Sequence, residues 1–284
     1  MKRKKKHYIE YDYENQIVQQ YEKEEEDTVL RLLKDGVISH CYATKEIFAG
    51  NQLDVEIYPE FTRKESCTLK QKLKKKTKKA IKDLNDKNAR KYFARLVNTN
   101  FTDDDYCITL TYTPESQPQD YESAHKDITN FLRRLNRKRK KQGIPNAKYV
   151  YVTEKKKNGY HHHIIVDSQL ELNMKEVNLL WGKSRRNDIK LLDTDEFGLT
   201  GIAFYLAKDP QGRKRWGSSR GLKKPTVKKN HYKFRKCDIR QAISCEYSLI
   251  DKLKKLYPQY TFTDVDIRYN DINAMFYIYA RLRL

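Results

Sequence analysis

Tyr160-His161-His162-His163-Ile164-Ile165-Val166 is the stretch on which the reading of this chain turns. Three consecutive histidines run into three aliphatic residues, the pattern of a strand that leaves a polar mouth and enters a core. Side chains alternate across a strand, so His161 and His163 share one face and His162 takes the other. Two imidazoles at i, i+2 suit a divalent metal. Two ligands are too few for a closed site, so the run by itself leaves a metal role and a surface or stacking role both open.

The neighbouring sequence supplies a third ligand. Lys148-Tyr149-Val150-Tyr151-Val152-Thr153-Glu154 reads as a strand, and residues 155–160 turn the chain back into the histidine strand. A hairpin of that length places Glu154 opposite His161. Glu154 then shares a face with Val152 and Val150, and His161 with His163 and Ile165, a face polar at its mouth and apolar further in. The outcome is a Glu/His/His set that leaves coordination positions for water or a phosphate oxygen. The competing reading of Glu154 is an ordinary carboxylate at a hairpin end.

Around this hairpin, residues 106–112 form an alternating strand stopped by Pro114. Residues 124–141 form an amphipathic helix with Ile128, Phe131, Leu132 and Leu135 inward. Arg133, Arg134, Arg137, Lys138, Arg139, Lys140 and Lys141 charge its last turns. A short helix over 173–181 and a strand over 188–192 follow. Thr200 is placed to cap a helix over 201–208, on which Leu199, Ile202 and Leu206 make the packing stripe. Tyr205 and Lys208 stand at i, i+3 on a neighbouring face. A lone tyrosine on a helix is usually packing, but an ammonium beside a phenol can lower its pKa or grip the phosphate it attacks. Beyond it, Arg213, Lys214, Arg215, Trp216, Arg220, Lys223 and Lys224 lie in a glycine-punctuated stretch of the kind that tracks a nucleic-acid strand.

The flanks are simpler. Residues 1–27 carry blocks of like charge that read as solvated, with a basic tip that either touches DNA backbone or only aids solubility. Runs at 37–48 and 53–58, separated by Gly50-Asn51, predict a hairpin. Residues 68–96 are helical in composition, with Lys70, Lys72, Lys74, Lys75, Lys76, Lys78 and Lys79 forming a cationic face for phosphate or for solvent. A helix over 245–256 and a hairpin over 260–269 and 274–282 end the sequence. The expected organisation is a charged tail (1–28), an accessory hairpin and basic helix (29–98), a core (99–226) and a C-terminal extension (227–284).

With 59 Lys plus Arg against 38 Asp plus Glu, the formal net charge of +21 points to a polyanionic partner, nucleic acid before an anionic membrane. No apolar run approaches the roughly 20 residues that span a bilayer, and no secretory segment is visible, so a cytosolic protein with no membrane partner is expected. The five cysteines form no Cys-x-x-Cys pair, which argues against a zinc knuckle.

Taken in order, Ile108-Thr109-Leu110-Thr111-Tyr112, then His161-His162-His163 with its aliphatics, then Tyr205-Leu206-Ala207-Lys208 resemble the three successive motifs of HUH-superfamily endonucleases. The chain looks like the rolling-circle replication initiation (Rep) proteins of bacterial plasmids and small phages. Asn100-Phe101, Glu154, Trp181-Gly182, Ser219-Arg220 and Lys224-Pro225 add to the likeness, which covers about residues 98–225. It implies an α+β fold with a central antiparallel sheet and flanking helices. It implies His161, His163 and Glu154 as ligands of Mg²⁺ or Mn²⁺, Tyr205 as nucleophile and Lys208 as its helper. Gly201 occupies the position one helical turn before Tyr205, which places the chain in the single-tyrosine branch. His162 makes the ligand pair ambiguous, and strand spacing favours His161 with His163.

The implied activity is nicking and joining of single-stranded origin DNA through a 5′-phosphotyrosine, leaving a 3′-hydroxyl primer in the cytoplasm of a bacterial host. No Gly-x-x-x-x-Gly-Lys-Ser/Thr phosphate loop occurs in the sequence. Unwinding is therefore expected from a host helicase or superhelical strain, and extension from a host DNA polymerase. A relaxase or transposase with the same chemistry, or a non-catalytic nucleic-acid-binding protein, are the alternatives.

Overall fold

The computed structural model describes residues 40–61, 78–157, 159–208, 215–270 and 275–284. The described chain is α+β, with two antiparallel five-stranded sheets and six α-helices. It divides into two compact units, one built from residues before Arg90 and from Pro225 onward, the other from Arg90–Lys224.

In the first unit, β1 (His40–Ala49) and β2 (Gln52–Phe61) form the expected hairpin. Its turn works because Gly50 takes φ 60°, which L side chains avoid. The C-terminal strands β9 (Thr261–Asn270) and β10 (Met275–Arg283) join the same sheet, and a short strand β8 (Thr226–Asn230) closes its other edge, giving the order β8-β1-β2-β10-β9. One face of this sheet, with Leu53, Val55, Ile57, Ile278, Ala280 and Leu282, packs under Phe234 and the helices α5 (Lys236–Ser244) and α6 (Glu246–Leu256). Glu46, buried in this unit, is satisfied by Lys233 and the Tyr257 hydroxyl. Sequence patterning missed β8 and α5, both short and heavily charged.

The second unit carries the histidine strand. Its sheet runs β6-β3-β5-β4-β7, with β3 (Tyr106–Leu110), β4 (Tyr149–Lys156), β5 (Gly159–Val166), β6 (Asp188–Leu191) and β7 (Gly217–Ser218). Both faces are covered, so the two-residue alternation of each strand feeds two cores. On one side Ile108, Leu110, Tyr151, Ile164 and Val166 pack against α2 (Tyr121–Lys141) and α3 (Met174–Trp181). On the other, Val150, Val152 and Ile165 pack against two helices. These are the C-terminal part of α1 (Lys78–Asn100), through Phe93, Leu96 and Val97, and α4 (Thr200–Leu206), through Ala203 and Leu206.

Two local expectations are corrected. Thr200 does not cap α4 but is its first residue, and Leu199 at the N-cap makes no side-chain cap. The cap comes instead from Asn98 of α1, whose Oδ1 accepts from the Leu199 N–H at 2.9 Å while its Nδ2 donates to Thr200 Oγ1 at 3.1 Å. Arg139, read from the sequence as one of the basic residues charging the last turns of α2, is fully buried against Asp167 at the end of β5. Of the lysines expected on the 68–96 helix, Lys70, Lys72, Lys74, Lys75 and Lys76 lie outside the described residues.

Candidate metal and tyrosine site

The β4–β5 hairpin pairs Glu154 with His161 and Val152 with His163, the register expected from its length. Glu154, His161 and His163 therefore project from the face that carries Val150, Val152 and Ile165, at its polar end. Each offers one ligand atom, and the three atoms lie within 4.8 Å of one another. His161 Nε2 meets Glu154 Oε2 at 3.1 Å, His163 Nε2 lies 3.8 Å from the same oxygen, and the two imidazoles stand edge to face with centroids 5.0 Å apart.

The electrostatics of the cluster follow from its depth. Burial works to raise the Glu154 carboxyl, but hydrogen bonds from His161 and Lys156, together with the electrostatic influence of His163 and Lys156, hold it below its ordinary value. Burial lowers His163 to about 4, so its ring is neutral near pH 7. Its Nδ1 meets the Thr109 hydroxyl at 3.1 Å, while its buried Nε2 has no hydrogen-bond partner. A neutral imidazole with one nitrogen anchored and the other bare, beside an ionised carboxylate and a second imidazole, is what a divalent cation requires. This buried Glu/His/His group could bind a metal.

His162 takes the opposite face and is fully buried. Its Nε2 meets the Tyr112 hydroxyl and its Nδ1 the Thr153 hydroxyl, both at 2.9 Å, so both ring nitrogens are occupied. Desolvation lowers its pKa to about 3, and the ring stacks edge-on against Trp181.

Tyr205 comes to the side of Glu154, His161 and His163 on α4. Its ring meets that of His163 edge-on at 6.0 Å, and it is 55% exposed. Leu206 and Ala203 bury the other side of α4 in the core. The helix is held at both ends by α1, through the Asn98 cap and through Arg90, whose Nη2 donates to the carbonyl of Lys208 at 3.1 Å. Lys208 itself is exposed beyond the last turn of α4.

Sequence reasoning missed a cation that, among the described residues, lies close to this geometry. Lys156 Nζ lies 3.2 Å from Glu154 Oε2 and 6.0 Å from the centroid of the Tyr205 ring. The signal was present, since Lys156 lies two residues beyond Glu154 on the same strand and so shares its face. Thr109 and Asn98 were also missed as positioning residues, because their roles depend on pairings between distant segments.

The basic stretch is described only in part. Arg213 and Lys214 lie outside the described residues, while Arg220, Lys223 and Lys224 lie toward solvent and Arg215 is half-buried. Trp216 packs inward, 5.0 Å from Phe93 and 6.4 Å from Tyr92 by ring centroids. Asn100 holds Lys223 through two 2.8 Å bonds to its backbone, fixing the loop whose lysines reach solvent.

Residues 105–210, which take in β3, the β4–β5 hairpin and α4, match the model of a family described as Replication-associated protein ORF2. That match is consistent with a replication initiator. More particularly, the crystal structure of the hypothetical protein ORF119 from Sulfolobus islandicus rod-shaped virus 1 is similar at 20% identity and a TM-score of 0.30, over 44% of this chain and 96% of that one. No curated protein is significantly similar to the chain. Among the described residues, no helix is long and apolar enough to cross a membrane.

Proposed function

We propose that this chain is a rolling-circle replication initiator of the single-tyrosine HUH type, which nicks and rejoins single-stranded origin DNA. The observation that carries the reading is the convergence of Tyr205 with Glu154, His161 and His163 on one sheet face, the tyrosine ring 6.0 Å from that of His163. The family match over residues 105–210 supports it.

A divalent ion, Mg²⁺ or Mn²⁺, held by Glu154, His161 and His163 would polarise the scissile phosphate and offset charge developing on its oxygens. Tyr205 attacks phosphorus through its phenolic oxygen. The O–P bond forms, the bond from phosphorus to the 3′-oxygen breaks, the phenol gives up its proton, and the departing 3′-oxygen takes one up. The products are a 5′-phosphotyrosine and a free 3′-hydroxyl. One phosphodiester is exchanged for another, so a strand's 3′-hydroxyl reverses the step without ATP. Lys156 supplies positive charge between the tyrosine and the carboxylate, and Lys208 supplies it beyond the helix end. The free 3′-hydroxyl primes a host polymerase, and a host helicase opens the duplex ahead of it.

The test is incubation with a labelled single-stranded origin hairpin and Mn²⁺. A covalent protein–DNA band is expected from the wild type and is lost in Tyr205→Phe with DNA binding retained. Wild-type protein that cleaves no origin-derived strand would instead support a non-catalytic DNA-binding module.

A further inference from the structure

A second feature opens at the same end of the sheet, on the side of the sheet away from Tyr205. A groove of about 1310 Å³ is lined by Tyr112, Leu179, Lys175, Lys183, Arg185 and Arg186, together with the turn that follows β3. Its floor is apolar. Tyr112 is buried beneath it, and Leu179 presents 83% of its surface to solvent from α3. An isolated leucine on a surface calls for no explanation, but one lining a concave wall with four cations marks a contact surface.

The wall is built rather than draped. Residues 182–187 are stitched to residues 111–116: Thr113 N–H donates to the Lys183 carbonyl at 3.2 Å, the Ser116 hydroxyl to the same carbonyl at 2.8 Å, and the Thr111 hydroxyl to the Arg186 carbonyl at 2.7 Å. The Thr111 N–H donates to Asn187 Oδ1 at 3.0 Å, and Gly182 ends α3 with φ 70°. The backbone of the loop is thus committed inward and its side chains are left to face out. Arg185 and Arg186 are exposed, and neither meets a carboxylate among the described residues.

Charge decides what fits. The groove carries four cations against Glu115 and Glu176, and Glu176 is already paired with Lys138 of α2. Lys183 is partly offset by Asp127 at 3.3 Å, which leaves Lys175 and the two arginines as the net positive wall. Position decides where a strand would run. The basic loop leads directly into β6, whose Asp188 pairs with Thr109, the residue that anchors His163.

We infer that this groove binds the single-stranded DNA flanking the scissile phosphate, with an unstacked base on Leu179 above the buried Tyr112 and phosphates on Arg185 and Arg186. The inference deepens the nickase reading and rests on it. A strand crossing the mouth of the sheet from the metal-facing side reaches the groove around the end of β3. An apolar floor beneath a cationic wall selects an unpaired strand over a duplex, because only the former can turn its bases inward.

The experiment measures binding of a fluorescein-labelled oligo(dT) strand to the full chain by anisotropy across a salt series, for wild type, Arg185→Ala/Arg186→Ala and Leu179→Glu. Removing two phosphate contacts should lower the slope of log K against log salt by about 1.4 and weaken binding on the order of tenfold at 0.1 M salt. Leu179→Glu should weaken binding comparably, and wild type should prefer the single strand to the same sequence as a duplex. Mn²⁺ binding measured by calorimetry should be unchanged in both variants, which shows that the fold persists. An unchanged salt slope in the double variant, or equal binding of duplex, overturns the groove. Wild-type protein that binds through the groove yet never nicks leaves the groove standing and removes the nickase reading. Nicking with oligonucleotide affinity indifferent to all three side chains does the reverse.

Discussion

Thr109 and His163 face each other on paired strands, and the threonine hydroxyl meets the histidine Nδ1 at 3.1 Å. This bond orients the ring so that its bare Nε2 faces Glu154. Thr109→Val keeps the shape and removes the partner, so metal affinity should fall about 10- to 100-fold, as outer-sphere substitutions do. Thr109→Ser should restore most of it. Calorimetric titration with Mn²⁺ checks both.

His163→Ala should abolish metal-dependent cleavage while leaving the β4–β5 hairpin intact, because the residue, though buried, lies at the polar end of the face outside the apolar cluster of Val150, Val152 and Ile165. A variant that cleaves at the wild-type rate removes the metal assignment.

Asn98→Ala deletes the cap of α4, leaving the Leu199 N–H without its acceptor. The cost to stability is about 1 kcal/mol, the usual worth of an N-cap. Because Tyr205 rides on this helix, single-turnover cleavage should fall while DNA affinity holds. Parallel loss of binding would show that Asn98 only supports the fold.

Lys156→Met should slow cleavage more than Lys208→Met does, since the Lys156 ammonium lies beside both Glu154 and the Tyr205 ring. Equal or opposite ranking, read from single-turnover rates at saturating Mn²⁺, would return the helper role to Lys208.

His162 ties stability to pH. Its pKa is near 3 when folded, against an ordinary value of 6.5. Above pH 6.5 it is neutral in both states and makes stability no more dependent on pH. Below that the unfolded chain binds the proton first, so stability falls as pH drops from 6.5 toward 3, by about 2 kcal/mol at pH 5. Urea midpoints at pH 7 and pH 5 should separate less in His162→Gln than in wild type.

The faces of the histidine strand were legible because a period of two is a local property, and the length of the turn set which carboxylate it would oppose. The inward face of α2 was legible too, apart from Arg139, whose burial depends on Asp167 at the end of another strand. What could not be read was long-range. The N-terminal hairpin gives no sign that β8, β9 and β10 complete its sheet, since those partners lie beyond the whole second unit in sequence. Asn98, beyond the expected end of its helix at residue 96, looks like a polar loop residue until α4 arrives beside it, and Trp216, in a basic stretch, resembles a stacking residue until Phe93 covers it. Lys156 was within reach of the same alternation that identified Glu154.

The three candidate ligands ride on the sheet, whereas Tyr205 rides on a helix tethered to α1 and separated from that sheet by Phe93, Val97, Val152, Ile165, Ala203 and Leu206. On the proposed reading, the gap between Tyr205 and the three candidate ligands would be the thickness of an oily spacer. Changing Val97 or Ala203 by one or two methyl groups would alter the reach of the phenol without touching any reacting atom. If the proposed nicking holds, core volume in this unit sets the chemistry as much as the stability.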